Sequence, residues 1–171
     1  MRSSLREVMS RFATGVTVVT VGGEYVHGMT ANAFTSVSLD PPLVLCCVAH
    51  SAVMHGAISA AERFAVSVLG AEQEAVARHF ADKNRPLGST QFADVDWRPG
   101  PLSGAPLISG ALGWLECALD RSHESGDHTI FLGSVLDARC GDEGPGLLFY
   151  NGSFCSVDAA GPAPHRVRTL Q

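Results

Sequence analysis

A chain of 171 residues with 46% hydrophobic and 17% charged side chains fits one folded domain with a sizeable core, and this composition excludes a disordered chain. The formal net charge of −5 argues against nucleic acid, which needs a basic surface for counterion release, and against an anionic membrane surface. No apolar run approaches the roughly 18 residues of a membrane span, and the first residues, with Arg2, Arg6, Glu7 and Arg11, lack the apolar stretch of a signal peptide, so a reduced, cytoplasmic protein is expected.

Ser4-Leu5-Arg6-Glu7 has the form of a capping box, in which the Ser hydroxyl accepts from a free amide and the Glu carboxylate reaches back to the cap. Leu5, Val8, Met9 and Phe12 follow at i, i+3, i+4 and i+7. A short helix with one apolar face is expected, ending near Thr14-Gly15. Residues 16–21 are β-branched almost throughout. Gly22-Gly23 can supply the positive φ angles of a hairpin turn, so residues 25–31 should return as the paired strand. Pro41-Pro42 removes two backbone donors and sets an extended start for the apolar run 43–48. Ser51 stands where it could cap a short helix over 53–59. Residues 64–69 read as a strand and 72–81 as a helix, with Val76, Ala77 and Phe80 on one side. Residues 82–106 are rich in Gly, Pro and Asp, and a long surface loop is expected there. Two long strands, 112–121 and 128–138, are linked by residues 123–127 as a hairpin, and a last short strand covers 146–150. The domain is expected to span 1–158, followed by a loose tail at 159–171 with two prolines and little apolar content. Many short strands with few helices favour an antiparallel barrel over a βαβ sheet.

Several chemistries find no support. There is no G-x-G-x-x-G, no phosphate-binding G-x-x-x-x-G-K-[ST] and no G-x-S-x-G elbow. The seven histidines form no H-E-x-x-H, and His50 and His55 stand five apart, so no metal site is expected. Five cysteines lack any C-x-x-C spacing and read as small core residues, with Cys46 and Cys47 pointing to opposite faces of a strand.

Three segments could carry chemistry. Residues 28–42 alternate small, hydroxyl-bearing and apolar side chains. Ala31 and Ala33 would let a flat ligand approach the backbone, while Thr30, Asn32, Thr35, Ser36 and Ser38 offer polar groups to a rim or a phosphate. Ser51 at a helix start suits a phosphate. In Ser125-Gly126-Asp127-His128, a histidine at a strand start could point into a cleft. Each segment alone also reads as an ordinary strand, cap or turn.

The blocks combine in one order: T-G-V-T-V-V-T (14–20), G-M-T-A-N-A-F-T-S-V-S-L-D-P-P-L-V-L (28–45), S-A (51–52), R-F-A-V-S-V-L (63–69), R-H-F-A (78–81), G-A-L-G-W-L-E-C (110–117) and G-D-H-T-I-F-L-G-S-V (126–135). Over roughly residues 5–157 the chain resembles the short-chain flavin reductases, the reductase components of two-component flavin-dependent monooxygenases. The resemblance implies a mainly β fold, the FMN-binding split β-barrel of antiparallel, Greek-key type with a few short helices, in a homodimer. It implies an NAD(P)H:flavin oxidoreductase that takes hydride from NADH or NADPH, reduces FMN or FAD, and releases reduced flavin to a separate monooxygenase. By the same resemblance Thr30, Ala31, Asn32 and Ala33 line the flavin ring, approached by Cys47 and Val48 from the next strand. Ser36, Ser51 and Ala52 serve the ribityl and phosphate end. Phe80 lies near the nucleotide pocket, Lys83 contacts phosphate, and Gly126, Asp127 and His128 form the nicotinamide side, with His128 as the catalytic histidine. The alternatives are an oxidase of the same barrel that keeps a bound FMN, or a non-catalytic flavin- or haem-binding relative.

Overall fold

Antiparallel pairing builds the whole sheet framework of the computed structural model, which describes residues 3–156. Helix α1 (Leu5–Met9) opens with the expected capping box. The Ser4 amide donates to Glu7 Oε2 at 2.6 Å, and the Glu7 amide donates to Ser4 Oγ at 3.2 Å. The Ser4 backbone bond also holds the Glu7 carboxyl below the usual carboxylate range. The helix stops at Ser10, short of Thr14-Gly15, and among the described residues its apolar side chains Leu5, Val8 and Met9, with Phe12 just beyond it, stay 51–79% exposed.

Strand β1 (Thr14–Gly15) leads into β2 (Thr17–Val21), which pairs with β3 (His27–Ala31). The turn between them is a single 3₁₀ turn, Gly23–Tyr25, so β3 starts later than residue 25. Only Gly23 takes a positive φ, 68°. Gly22 is needed for a different reason, because a Cβ there would lie 2.2 Å from the Gly104 carbonyl oxygen. After β3 come β4 (Phe34–Leu39) and β5 (Pro42–Ala49), joined through a cis Asp40–Pro41 peptide. Helix α2 (Val53–Ala61) and β6 (Arg63–Val68) follow. A 3₁₀ turn at Ala71–Gln73 then shortens the helix expected over 72–81 to α3 (Glu74–Ala81).

The region 82–106 departs most from expectation. Most of it lies exposed, as expected, but it is not loop throughout. It holds a 3₁₀ turn (Gly88–Phe92) whose Gln91 and Phe92 are buried, and strand β7 (Trp97–Pro99), which pairs with β8 (Pro106–Ile108). The long strands β9 (Gly113–Ser125) and β10 (His128–Cys140) both outrun the expected limits, leaving Gly126-Asp127 as a two-residue turn with Gly126 at φ 65°. Register shifts at Leu132/Gly133 and Val135/Asp137 mark bulges, which bend such ribbons. Chain order ends with β11 (Leu147–Tyr150) and a strand the sequence did not announce, β12 (Ser153–Ser156). The tail at 159–171 lies outside the described residues.

Seven strands form the main sheet in the order β3-β2-β6-β9-β10-β5-β4, beside a small β1-β11-β12 sheet. The edges β3 and β4 do not pair with each other, so the barrel is split and mainly β, as the resemblance implies. One bridge crosses near the gap, where the Cys47 amide donates to the Ala33 carbonyl at 3.0 Å. Strand β2 is buried along its whole length because both of its faces are covered. Val19 joins Cys46, Val48, Met54, Ile58, Phe64 and Phe131 inside the sheet, and Val18 joins Leu69, Ala77, Phe80, Phe92 and Leu147 under α3. Burial pushes the Cys46 and Cys117 thiols up to about 12, which fits core packing and not nucleophilic use.

The W-L-E-C block pins this frame. Trp114 Nε1 donates to the Ile108 carbonyl at 2.7 Å. The buried Glu116 carboxylate accepts from the Leu102 amide at 2.9 Å and from the Ser103 amide and hydroxyl, each at 2.7 Å.

Candidate active site

The gap between β3 and β5 opens into a cavity of about 470 Å³, within the usual range for a small-molecule site. Two short strand ends and one loop make its walls. From β3 and the two residues after it come Thr30, Ala31, Asn32 and Ala33; from β5 come Cys47 and Val48, with Ala49 beyond. The turn into α2 contributes Ser51, Ala52 and Val53, and Phe80, Lys83, Arg85 and Leu87 close the opposite side. His128 reaches it from the start of β10, where it pairs with Ala49.

Most of the residues singled out in the sequence therefore meet at one place. Ser36, Gly126 and Asp127 do not line the cavity. Ser36 sits exposed on edge strand β4, opposite Val44 and beside a bulge. Gly126 makes the turn. Asp127 touches the site only through its neighbour: its Oδ1 lies 2.7 Å from His128 Nδ1, and this hydrogen bond holds the Asp127 carboxyl below its usual range. With Nδ1 engaged by the carboxylate, His128 keeps Nε2 for a ligand.

Two expected roles change. Ser51 does not cap α2; Ala52 occupies that position with no side-chain cap, so the first turn of α2 faces the cavity without a hydroxyl partner. Thr30 Oγ1 donates to the Ala77 carbonyl at 2.6 Å, tying β3 to α3, so its proton is spent inside the protein. Phe80 lines the cavity as its fully buried floor; it packs against Phe92 at 5.1 Å, and a Cβ at Gly28 would come within 2.5 Å of it.

The sequence reading missed the polar cluster behind this floor. Arg85 donates through Nη1 to the Asp82 carbonyl at 2.6 Å and through Nη2 to the Gly28 carbonyl, and Nη2 also stands 3.1 Å from His27 Nε2. Gln91 Oε1 accepts from the Gly28 amide at 2.9 Å, and its Nε2 donates to the Gly88 carbonyl at 2.8 Å. Burial and then the Arg85 charge lower His27 to about 4, so it stays neutral and accepts from Arg85. Desolvation lowers Arg85 as well. Among the described residues that line the cavity, Lys83 is the exposed lysine or arginine. No local signal marked it, since Arg85 and Gln91 stand in a segment expected to be a surface loop, more than fifty residues from His27 and Gly28.

These residues suit a flat heteroaromatic ring with an anionic tail. Small side chains (Ala31, Ala33, Ala49, Ala52) leave a slot against the backbone, and polar groups stand at its rim (Asn32, Ser51, Lys83).

Comparison with known proteins agrees with that chemistry. The flavin reductase like domain family matches residues 9–158. A NADH-dependent FAD reductase of Streptomyces globisporus is 60% identical over 153 residues, covering 90% of this chain and 84% of that protein. Among solved structures, BorF, the flavin reductase component of a bacterial two-component tryptophan halogenase, superposes with a TM-score of 0.87 at 51% identity, over 90% of this chain and 96% of that one. The Streptomyces globisporus NADH:FAD oxidoreductase solved with NAD and FAD fragments gives a TM-score of 0.85 at 56% identity, over 91% and 92% of the two chains. With a cavity of this shape, and with the family match running through every strand that builds it, the chain belongs to the flavin reductase like family.

Proposed function

We propose that this chain is an NAD(P)H-dependent flavin reductase that takes FMN or FAD as substrate in the β3/β5 slot and supplies reduced flavin to a separate monooxygenase. The observation that carries the reading is the pairing of a small-residue slot, Thr30 to Ala33 against Cys47 and Val48, with a carboxylate-held imidazole, His128, on the same cavity. In the reaction, hydride passes from the nicotinamide to flavin N5 and a proton from solvent balances the charge. No side chain has to be a nucleophile. The chain stacks two rings at attack distance and excludes water.

Ala31 and Ala33 admit the flavin edge-on to the backbone. Ser51, Ala52 and the uncapped first turn of α2 face the ribityl and phosphate end, where a helix N-terminus favours an anion. Lys83 meets the same tail from the opposite rim. His128, with Asp127 on Nδ1, orients the nicotinamide carboxamide or the developing negative charge of the flavin through Nε2.

The working unit we infer is a homodimer. The bare face of α1 borders an open groove of about 1100 Å³ that continues along Ala33, Phe34 and Leu45 to Phe149, and this groove shares Asn32, Ala33 and Cys47 with the cavity. A second copy fits an apolar surface of this kind, whose burial removes Leu5, Val8, Met9 and Phe12 from water. Five free cysteines support a reducing, cytoplasmic setting.

Purified protein is expected to oxidise NADH or NADPH when FMN or FAD is added, with no other acceptor. His128→Ala is expected to lower kcat/KM for the nicotinamide by about 10- to 100-fold, the cost of one charge-stabilising donor. Unchanged nicotinamide kinetics in that variant remove His128 from the mechanism. A tightly retained yellow chromophore without reductase turnover points instead to an oxidase.

A further inference from the structure

Two imidazoles converge on one buried hydroxyl beside the cavity. His55 Nε2 lies 2.8 Å and His50 Nε2 3.1 Å from Thr129 Oγ1. Their rings stand edge to face with centroids 5.2 Å apart, and His55 also packs edge-on against Phe131 at 5.3 Å. Thr129 is 3% exposed and directly follows His128 on β10. His50 sits on the turn after β5 and His55 in the first turn of α2, so the residues between them include Ser51, Ala52 and Val53, which line the cavity. His50 makes a second tie, its amide donating to the Asp127 carbonyl at 3.0 Å.

We propose that Thr129, with His50 and His55, is a positioning unit that holds the flavin-facing turn and the His128 hairpin together, and that it releases them in acid. The proposal rests on the reading of the cavity as the flavin and nicotinamide site. A hydroxyl has one proton to give. With both rings neutral, Thr129 donates to one Nε2 and accepts from the protonated Nε2 of the other, so the two histidines hold opposite tautomers. One extra proton on the free Nδ1 of the donating ring leaves the bridge intact. A second proton makes both Nε2 atoms donors. The Thr129 hydrogen then loses its acceptor in a buried place, and two cations face each other across 5.2 Å.

The charged groups on the elements packed against the bridge are few. β10 and its hairpin present Asp127 and His128, and β9 presents Glu124, the register partner of Thr129, with His123 next to it opposite Ile130. β5 carries no ionisable group but its cysteine thiols, α2 none but His55, and β3 only His27, which is engaged by Arg85.

The test measures FAD dissociation constants by flavin fluorescence quenching, together with NADH KM and kcat, at about pH 8 and about pH 5.5, a window that spans ordinary imidazole titration. Thr129→Val is expected to raise both the FAD Kd and the NADH KM about tenfold at the higher pH, the cost of one buried hydrogen bond, with kcat within about twofold, and Thr129→Ser to restore both. Wild-type protein is expected to lose about tenfold in FAD affinity on acidification, whereas the double variant His50→Gln, His55→Gln, whose amides can hold the hydroxyl but do not titrate, keeps its affinity. Wild-type Kd and KM in a folded Thr129→Val, or an acid loss in the double variant equal to wild type, overturns the proposal. If Thr129→Val does not fold, the double variant decides alone. Ala33→Trp, which fills the slot without touching the bridge, separates the two readings. FAD binding that survives Ala33→Trp sinks the cavity reading, and binding lost there but unaffected by the Thr129 and histidine variants sinks the bridge alone.

Discussion

The two walls of the cavity are built by opposite means. The β3/β5 wall is made of backbone and small side chains: Ala31, Ala33 and Cys47 lie on strands or at a strand end, and the Cys47 amide to Ala33 carbonyl bond joins the two pieces. The facing wall, residues 80–87, belongs to α3 and an irregular segment, and a buried polar cluster holds it to β3 through Arg85, His27 and Gln91. The first wall is rigid because it is ladder. The second is only as rigid as its hydrogen bonds, since an irregular segment keeps its shape through the partners its polar groups find. The shape of the slot is thus set by strands, and its closure by one guanidinium and one amide side chain.

The sharpest way to break the strand wall is to fill it. Ala33→Trp is expected to lower kcat/KM for flavin at least about 100-fold through lost near-attack geometry while leaving the melting temperature close to wild type, because Ala33 is exposed and outside the core. Steady-state kinetics with calorimetry check this, and full activity in the folded variant rules the slot out.

The loop wall should fail differently. Arg85→Met removes the donors to Asp82, Gly28 and His27, and is expected to cost about 3 kcal/mol in urea unfolding as half-buried acceptors go unpaired. Flavin KM should rise with it. His27 adds a pH signature. It titrates near 4 in the fold against 6.5 ordinarily, so between those values the unfolded chain binds the extra proton. Stability is therefore full above about 6.5 and is lost as pH falls towards about 4. Removing the Arg85 charge raises His27 back towards its ordinary value and shrinks that acid loss. An acid limb of wild-type size in Arg85→Met contradicts the coupling.

The smallest effect on the fold is expected from the outer side of the strand wall. Phe12→Asp puts a charge on the bare α1 face, 65% exposed at that residue. If the homodimer proposed above uses this face, sedimentation should show dimer for wild type and monomer for the variant, with monomer stability changed by no more than about 0.5 kcal/mol. A wild-type dimer in this variant places the interface elsewhere.

Legibility followed the range of the interactions. The α1 cap was readable because Ser4 and Glu7 are three residues apart, and the small-residue strand wall because Ala31 and Ala33 are local to one segment, while Cys47 was named only through the family resemblance; all three line the cavity. Arg85 and Gln91 were not readable, because their partners His27 and Gly28 are more than fifty residues away in the chain. The apolar periodicities of α1 and α3 look alike, yet Ala77 and Phe80 are buried and the α1 face is bare. Periodicity states that a face needs cover and not what covers it.

By itself the sequence determined the split, mainly β architecture and the family, and named most of the residues that line one cavity, because local pattern and the order of blocks carry that information. The tertiary structure alone decided that Thr30 spends its proton on Ala77, that Ala52 and not Ser51 starts α2, that Phe80 is floor, and that His50 and His55 meet on Thr129. The physical reason is common to these cases. A hydroxyl, a ring or an imidazole can be satisfied by whichever partner folding brings within about 3 Å, and chain spacing does not record which one arrives.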